Sequence, residues 1–404
     1  MSRLFLSLLL CAVMGLTGYR AEAWDEVIDP PQELFFSPRP LAFFHEALRG
    51  LKRGERSTVR VLHFGDSHTA ADLMTTEIRR RLQARFGNGG RGFVLLGRPW
   101  KSYDPKDIFV SSTGPWTTKR VLFGDDSSAL DGRFGLSGIA SEPGSSESVT
   151  KLAAQANLPF STGMDRLEIF YLRQPFGGDL LVSAGAAPAQ RIPTSSPRFE
   201  TGVFRHRVAK DQGLVSVSSA GNGPVRLFGA VVESEETGVV YDTLGINGAF
   251  FETVLAWNEK IFAEQVALRN PDLIVIMYGT NDAGIKNLTP GAFHQAVGQA
   301  INKLRQGAPE AACLVVGPPD SRSTVRRSMP PERLDWIISV EAAVARTQGC
   351  GFVDLRALMG GPGSFGQWQR QGLATSDGVH LTGKGYAVLG ELLARQMLLP
   401  VFEI

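Results

Sequence analysis

Four stretches of this chain are continuously apolar and rich in β-branched residues, and an amphipathic helical stripe follows each. That alternation restricts the fold more than any other feature. STVRVLHFG (57–65) precedes Met74, Ile78, Leu82 and Phe86, spaced by four, and the run Gly87-Asn88-Gly89-Gly90 reads as the end of that helix. DLIVIMYG (272–279) precedes Phe293, Val297, Ile301 and Leu304. CLVVG (313–317) precedes Leu334, Ile338 and Val344, and GFVDL (351–355) precedes Tyr386, Leu389, Leu393 and Met397. Strands that are apolar on both sides must be covered on both sides. The fold class expected is therefore α/β, with a doubly wound parallel sheet.

Between about Gly97 and Gly238 the pattern changes. Short runs such as RLEIFYL, DLLVSAG, GLVSVSS and VRLFGAVVE alternate with Gly, Pro and Ser clusters, and no long helical stripe interrupts them. These are antiparallel strand signals. The simplest organisation is a β-sandwich (97–238) inserted into the first crossover of an α/β domain whose parts are 36–96 and 239–404. Neither an internal repeat nor a low-complexity tract is visible.

The chain opens MSRLFLSLLLCAVMGLTGYRAEAW: Arg3, then an apolar run from Leu4 to about Gly18, then Ala21-Glu22-Ala23. This is the layout of a secretory signal (1–23) cut near Ala23; the run is shorter than the roughly 20 apolar residues of a spanning helix. The expected product is a periplasmic or secreted protein with no stable membrane insertion. Cys11 lies inside the apolar run without the small residue before it that a lipidation site wants. Cys313 and Cys350 are then the cysteines left, in a compartment where disulfides persist; they form either a bridge or two buried thiols. With 42 Lys plus Arg against 40 Asp plus Glu, the net charge of +2 gives no field that would favour nucleic acid or an anionic membrane.

Chemistry-bearing residues recur at strand ends. Ser67, in HFGDSHTA, stands where the first strand turns into its helix, at the carboxyl edge where α/β sheets bind ligands and where helical N–H groups face a developing anion. Ser67 or Asp66 could equally serve only as the helix cap. Asp377 and His380, three apart in TSDGVHLTGKGY, place a base and the carboxylate that orients it in one loop before the last helix. A metal site is disfavoured there, because no second acidic or histidine cluster stands beside the pair. GINGAF (245–250) offers the backbone N–H of Gly248, and YGTNDA (278–283) offers the side-chain amide of Asn281. Both are donors suited to an oxyanion. His68 reads as a substrate contact, as a residue that tunes the serine, or as a solvated or structural side chain. His63 reads as a core histidine, and His45, His206 and His294 carry no pattern.

In this order, GDSH, the Gly248 segment, GTND and D-x-x-H resemble the four sequence blocks of the SGNH (GDSL-type) hydrolase superfamily. GDSHTAADLMT, FGNGGRGFV, VVYDTLGINGAF, GTNDA, VVGPPD and DGVHLT resemble, within it, bacterial peptidoglycan O-acetylesterases. The resemblance implies a flavodoxin-like SGNH fold with a carbohydrate-binding-module-like insertion. It implies Ser67 as nucleophile, His380 as base and Asp377 as triad acid, an oxyanion hole of Ser67, Gly248 and Asn281, and neither metal nor organic cofactor. His68 stands where leucine is usual in the superfamily. The substrate implied is O-acetylated peptidoglycan, at the 6-O-acetyl group of N-acetylmuramic acid. Alternatives are an esterase or O-acetyltransferase for another acetylated polysaccharide, and a non-catalytic carbohydrate-binding scaffold. All five assigned residues lie outside 97–238, so the insertion is expected to contribute substrate choice, with Trp100, Trp116, Tyr171 and Phe176 as aromatic candidates for sugar stacking or for its core.

Overall fold

The computed structural model describes residues 39–121, 131–155, 163–209, 212–324, 327–328 and 331–399. The expected secretory signal lies outside the described residues. Among these residues no helix is long and apolar enough to cross a membrane.

Six strands form one parallel sheet in the order Gly351–Asp354, Ala312–Gly317, Leu273–Met277, Thr58–Gly65, Gly238–Gly245 and Asn88–Gly90. Successive side chains of a strand point to opposite faces. Val59, Val61, Leu273, Val275 and Met277 accordingly enter one core, with the helices Ala42–Arg53, Met74–Phe86 and Gly383–Leu398. Leu62, Phe64, Ile274 and Ile276 enter the other, under Glu259–Arg269, Pro290–Arg305 and Pro331–Thr347. This is the doubly wound arrangement the apolar strands require. The helices begin where the sequence supplies caps. Thr289 accepts from Ala292 N with Pro290 in the first turn, and Thr382 accepts from Gly385 N.

The glycine run after the first long helix does more than end it. Gly87 caps the helix with φ +96, and Asn88–Gly90 pairs with Gly238–Gly245 as the sheet's edge strand. Nothing β-branched marks that strand; its neighbour's hydrogen bonds create it. The helix Glu259–Arg269 is also poorly marked. Gln265 and Arg269 occupy its buried side, where Gln265 accepts from Leu136 N at 2.8 Å and Arg269 pairs with Asp242 at 2.7 Å, so its apolar stripe is broken.

Two antiparallel sheets form the sandwich. One runs Gln190–Pro193, Asp179–Ala184, Leu214–Ser219, Val149–Ala154, Ile108–Thr113; the other runs Glu200–Arg207, Arg166–Arg173, Leu227–Glu233, Ile139–Pro143, Trp116–Arg120, with Gly92–Val94 added against Leu227–Glu233. Ile169, Tyr171, Leu180, Val182, Val215 and Val217 fill the space between them. The second sheet is covered on its other side as well, where Phe93, Phe170, Leu172, Phe228 and Val231 join the α/β core. Cys313, on Ala312–Gly317, and Cys350, just before the neighbouring strand Gly351–Asp354, stand side by side, one step ahead of the Leu314–Gly351 pair, and form a disulfide with Cα atoms 4.6 Å apart.

Candidate active site

In a parallel sheet every carboxyl end lies along one edge. Three adjacent strands therefore deliver Ser67, the Gly248 loop and the Asn281 loop to one place. Asp66 caps the short Ser67–Ala70 helix, its Oδ1 accepting from His68 N at 2.9 Å. Asp66 is thus the cap, and the serine hydroxyl is left for other work: Ser67 Oγ lies 2.9 Å from His380 Nε2. His380 Nδ1 lies 2.7 Å from Asp377 Oδ2.

The loop that carries both residues is closed tightly. Thr375 N donates to His380 O and Thr382 N to Leu373 O, each at 2.9 Å. Asp377 Oδ1 accepts from Thr375 Oγ1 at 2.7 Å, Val379 N at 2.8 Å and His380 N at 2.9 Å. Partial burial alone would raise the Asp377 carboxyl, but these hydrogen bonds outweigh it and hold the group well below the usual carboxylate range. It is an anion facing the imidazole at any pH where an esterase would work.

Gly248 has φ +81, a conformation that a side chain would strain. Asn281 Nδ2 donates to Ala249 O at 2.9 Å, which fixes the amide against the Gly248 loop and leaves its second hydrogen to donate elsewhere. Asp282 ties the same two loops together: its carboxylate oxygens accept from Phe251 N and Gly279 N, each at 3.2 Å. Asp66 and Asp282 are fully buried, which pushes their carboxyls up to about 6 and about 7. Behind them Glu341 is fully buried, and neither of its oxygens has a hydrogen-bond partner among the described residues; burial raises it well above the ordinary range. Gly279, at φ +102, makes room for it, since a Cβ there would stand 2.2 Å from Glu341 Oε1.

His68 is a buried structural side chain. Its Nδ1 is 2.8 Å from Tyr386 Oη on the last helix, and its ring centroid lies 5.4 Å from that of His380. Burial, and then the neighbouring His380, pushes its imidazole down to about 3, so it stays neutral beside the base. His63 is buried as well, with Nδ1 2.8 Å from Tyr241 Oη. Among the described residues no group of three or more His, Cys, Asp or Glu side chains is arranged to hold a metal.

Ser67 and His380 open on a cavity of about 250 Å³, whose other walls include Asn247, Asp72, Trp100 and Tyr103. Of the four aromatic candidates, Trp100 therefore lines the site. Tyr171 is in the sandwich core, Trp116 donates from Nε1 to Thr113 O, and Phe176 is 90% exposed at a turn with φ +59.

Residues 211–388, which hold Gly248, Asn281, Asp377 and His380, match the GDSL-like lipase/acylhydrolase family. Over that segment the chain is similar to SGNH-type ester hydrolases, and it is an esterase. Ser67 lies outside the matched segment, and the fold carries it to His380. A solved structure described as a peptidoglycan O-acetylesterase in action is 24% identical to this hydrolase, over 90% of this chain and 97% of that one, with a TM-score of 0.74. It shares the fold, insertion included. A lipase/acylhydrolase from Enterococcus faecalis is 26% identical over 40% of this chain and 76% of its own, with a TM-score of 0.32. A family two carbohydrate esterase from Clostridium thermocellum, in complex with cellohexaose, is 11% identical over 73% and 100%, with a TM-score of 0.31. Among curated proteins none matches the hydrolase in sequence.

Proposed function

We propose that this hydrolase is exported and removes O-acetyl groups from a cell-wall polysaccharide, the 6-O-acetyl group of N-acetylmuramic acid in peptidoglycan, through an acetyl-enzyme. The chain of contacts from Asp377 through His380 to Ser67 carries the reading. Ser67 Oγ attacks the acetyl carbonyl as its proton passes to His380 Nε2, and Asp377 holds Nδ1–H so that Nε2 is the basic nitrogen. The carbonyl oxygen becomes an anion facing the N–H groups of Ser67 and Gly248 and the Asn281 amide; losing one such donor typically costs about 3 kcal/mol. The C–O bond to the sugar breaks, and the sugar oxygen takes the proton from His380. Water then gives a proton to His380 and attacks the acetyl-serine; the bond from the acetyl carbon to Ser67 Oγ breaks, the serine oxygen takes the proton back from His380, and acetate leaves.

Three observations support the finer parts of this reading. The small polar cavity suits an acetyl group better than a long acyl chain. A disulfide between Cys313 and Cys350 fits an oxidising compartment, as does the amino-terminal apolar run. The solved structure most fully superposed above bears the name of this activity. The deciding experiment measures acetate released from O-acetylated peptidoglycan, from the same material chemically de-acetylated, and from acetylated xylan, alongside fluorophosphonate labelling of the wild type and Ser67→Ala. The reading expects labelling that needs Ser67 and release only from the first substrate. Equal release from xylan overturns the substrate, and labelling that survives Ser67→Ala overturns the nucleophile.

A further inference from the structure

We propose that the Trp100–Tyr103 wall of the Ser67 cavity is a sugar subsite, where Trp100 packs on the face of an uncharged pyranose ring and the buried Asp72–Arg91 pair holds that wall at its distance from the nucleophile. The inference rests on the glycan reading above and deepens it.

The wall belongs to the segment that follows the chain's passage from the parallel sheet into the sandwich. That passage is made at Arg91, between Asn88–Gly90 and Gly92–Val94. Trp100 and Tyr103 meet edge to face with centroids 5.0 Å apart, and Tyr103 Oη is anchored by accepting from Leu95 N at 2.7 Å. Tyr103 thus braces Trp100, which is only partly buried and lines the cavity. A braced, partly exposed indole beside a nucleophile offers a flat apolar face at small entropic cost. Ser102, Asp104 and Asn247 add a hydroxyl, a carboxylate and an amide, a set suited to ring hydroxyls.

Charge and size select among ligands. The cavity lining carries Asp72 and Asp104 and no lysine or arginine. Arg91 and Arg79 lie close behind but are committed: Arg91 Nη2 donates to Asp72 Oδ2 at 2.6 Å, and Arg79 Nη2 to Asp107 Oδ2 at 2.6 Å. Asp72 and Asp104 are paired in turn, with Arg91 and with Lys106, so the lining offers an anionic ring substituent no uncommitted cation. At about 250 Å³ the cavity is also below the range of drug-sized pockets, which begin near ~300 Å³. It takes one ring and excludes a long acyl chain.

Asp72 joins every part that must stay in register. It ends the nucleophile turn in a left-handed conformation, φ +52, that a non-glycine residue adopts only when its surroundings hold it. Its Oδ1 accepts from Thr75 Oγ1 at 2.9 Å and from Thr243 Oγ1, on the Gly238–Gly245 strand, at 3.0 Å. Its Oδ2 accepts from Lys106 N at 2.8 Å, just beyond the wall, while Arg91 Nε donates to Lys106 O at 2.7 Å. Arg91 is 1% exposed. Asp72 and Arg91 are positioning residues; Trp100 is the one that touches the sugar.

The test compares kcat/KM on soluble O-acetylated peptidoglycan fragments with kcat/KM on p-nitrophenyl acetate, in wild type, Trp100→Ala, Trp100→Phe and Arg91→Lys. Trp100→Ala should lower the ratio of the two by about tenfold or more, the usual scale for truncating an aromatic anchor. The loss should lie in KM for the glycan, and Trp100→Phe should restore most of it. Arg91→Lys, which keeps the charge but not the forked geometry, should lower the same ratio through a shifted wall. Proportional loss on both substrates overturns the subsite, and an unchanged ratio in Arg91→Lys overturns the positioning role. Should Trp100→Ala fail to fold, Trp100→Leu, with apolar bulk and no flat face, carries the same expectation. Wild type that cleaves p-nitrophenyl acetate but no acetylated glycan overturns the glycan reading instead, and wild type inactive on both overturns the esterase chemistry.

Discussion

Replacing Glu341 by Gln should stabilise this hydrolase, by an amount that grows with pH. Glu341 sits in the helix Pro331–Thr347, fully buried behind the Asn281 loop, with no hydrogen-bond partner for either oxygen among the described residues. Burial first, and then the nearby Asp282, Asp354 and Asp66, raise its carboxyl well above the ordinary 4.5. The folded state therefore holds this proton more tightly than the unfolded chain does. The stability that proton contributes is complete below the ordinary value. It is lost as pH rises from there toward the folded value, by about 1.4 kcal/mol per pH unit for one proton.

Gln carries no such proton, so Glu341→Gln escapes that loss. The gap in unfolding free energy between variant and wild type should widen as pH rises above the ordinary value, by at most about 1.4 kcal/mol for each unit. Asp66, Asp282 and Asp354 remain in both proteins but are coupled to Glu341, so the difference reports the proton that this group of buried carboxyls holds together. Urea unfolding of both proteins at about pH 5.5, 6.5 and 7.5 measures it, with equal m-values showing that the unfolded states match. A gap that stays constant with pH would mean Glu341 is ionised in the folded protein, and would refute the reasoning.

Ser67→Ala and His380→Ala should each remove nearly all turnover, and the double variant should lose little more, since the contacts act as a unit; strongly additive losses would break the relation. Asn281→Ala should lower kcat by roughly a hundredfold with little change in KM, and a pure KM effect would make Asn281 a substrate-binding residue instead. Asp72→Asn leaves the buried Arg91 without its counter-charge, while Arg79 keeps Asp107, and should cost about 3–5 kcal/mol. Because Arg91 and Arg79, against the effect of burial, hold Asp72 down at about 2, that stabilisation is present above its ordinary 3.8 and is lost as pH falls through 2, so denaturation curves of variant and wild type should converge in acid. Denatured, unreduced protein that begins after Ala23, and so lacks Cys11, should show no free thiols if Cys313 and Cys350 are joined as in the structure; two would contradict it.

The strands and helices that carry a repeating apolar pattern are legible in the sequence, and so is the order of the blocks that meet at the sheet's carboxyl edge. What is hidden depends on neighbours distant in sequence. Asn88–Gly90 has no strand signal of its own and becomes an edge only beside Gly238–Gly245. Glu341 reads as one more polar residue of an amphipathic helix, and its burial follows from the absence of a Cβ at Gly279, sixty-odd positions earlier. Asp66 and Asp282 stand inside recognised motifs, yet their roles as cap and as tie between loops are visible only from their hydrogen bonds. Trp100 was one aromatic among four, and only the packing of its segment against the nucleophile turn singles it out.

The insertion is more closely joined to the catalytic machinery than its separate sequence character suggests. Its outer sheet, with Asp179–Ala184 and Leu214–Ser219, contributes to the sandwich core alone. Its inner sheet is different. Leu227–Glu233 is buried along its whole length, and Glu233 pairs with Arg269 at 3.0 Å, which in turn holds Asp242 on the strand leading to the Gly248 loop. Phe93 N, on the added strand, donates to the same Asp242 at 2.9 Å. Ion pairs buried to this degree hold geometry more than they add net stability, because their desolvation offsets much of their attraction. The inner sheet therefore fixes two things at once: the strand that ends in an oxyanion donor, and the Trp100 wall across the cavity. A change confined to the outer sheet does not reach the nucleophile, whereas any change that shifts the inner sheet moves the wall and the donor together.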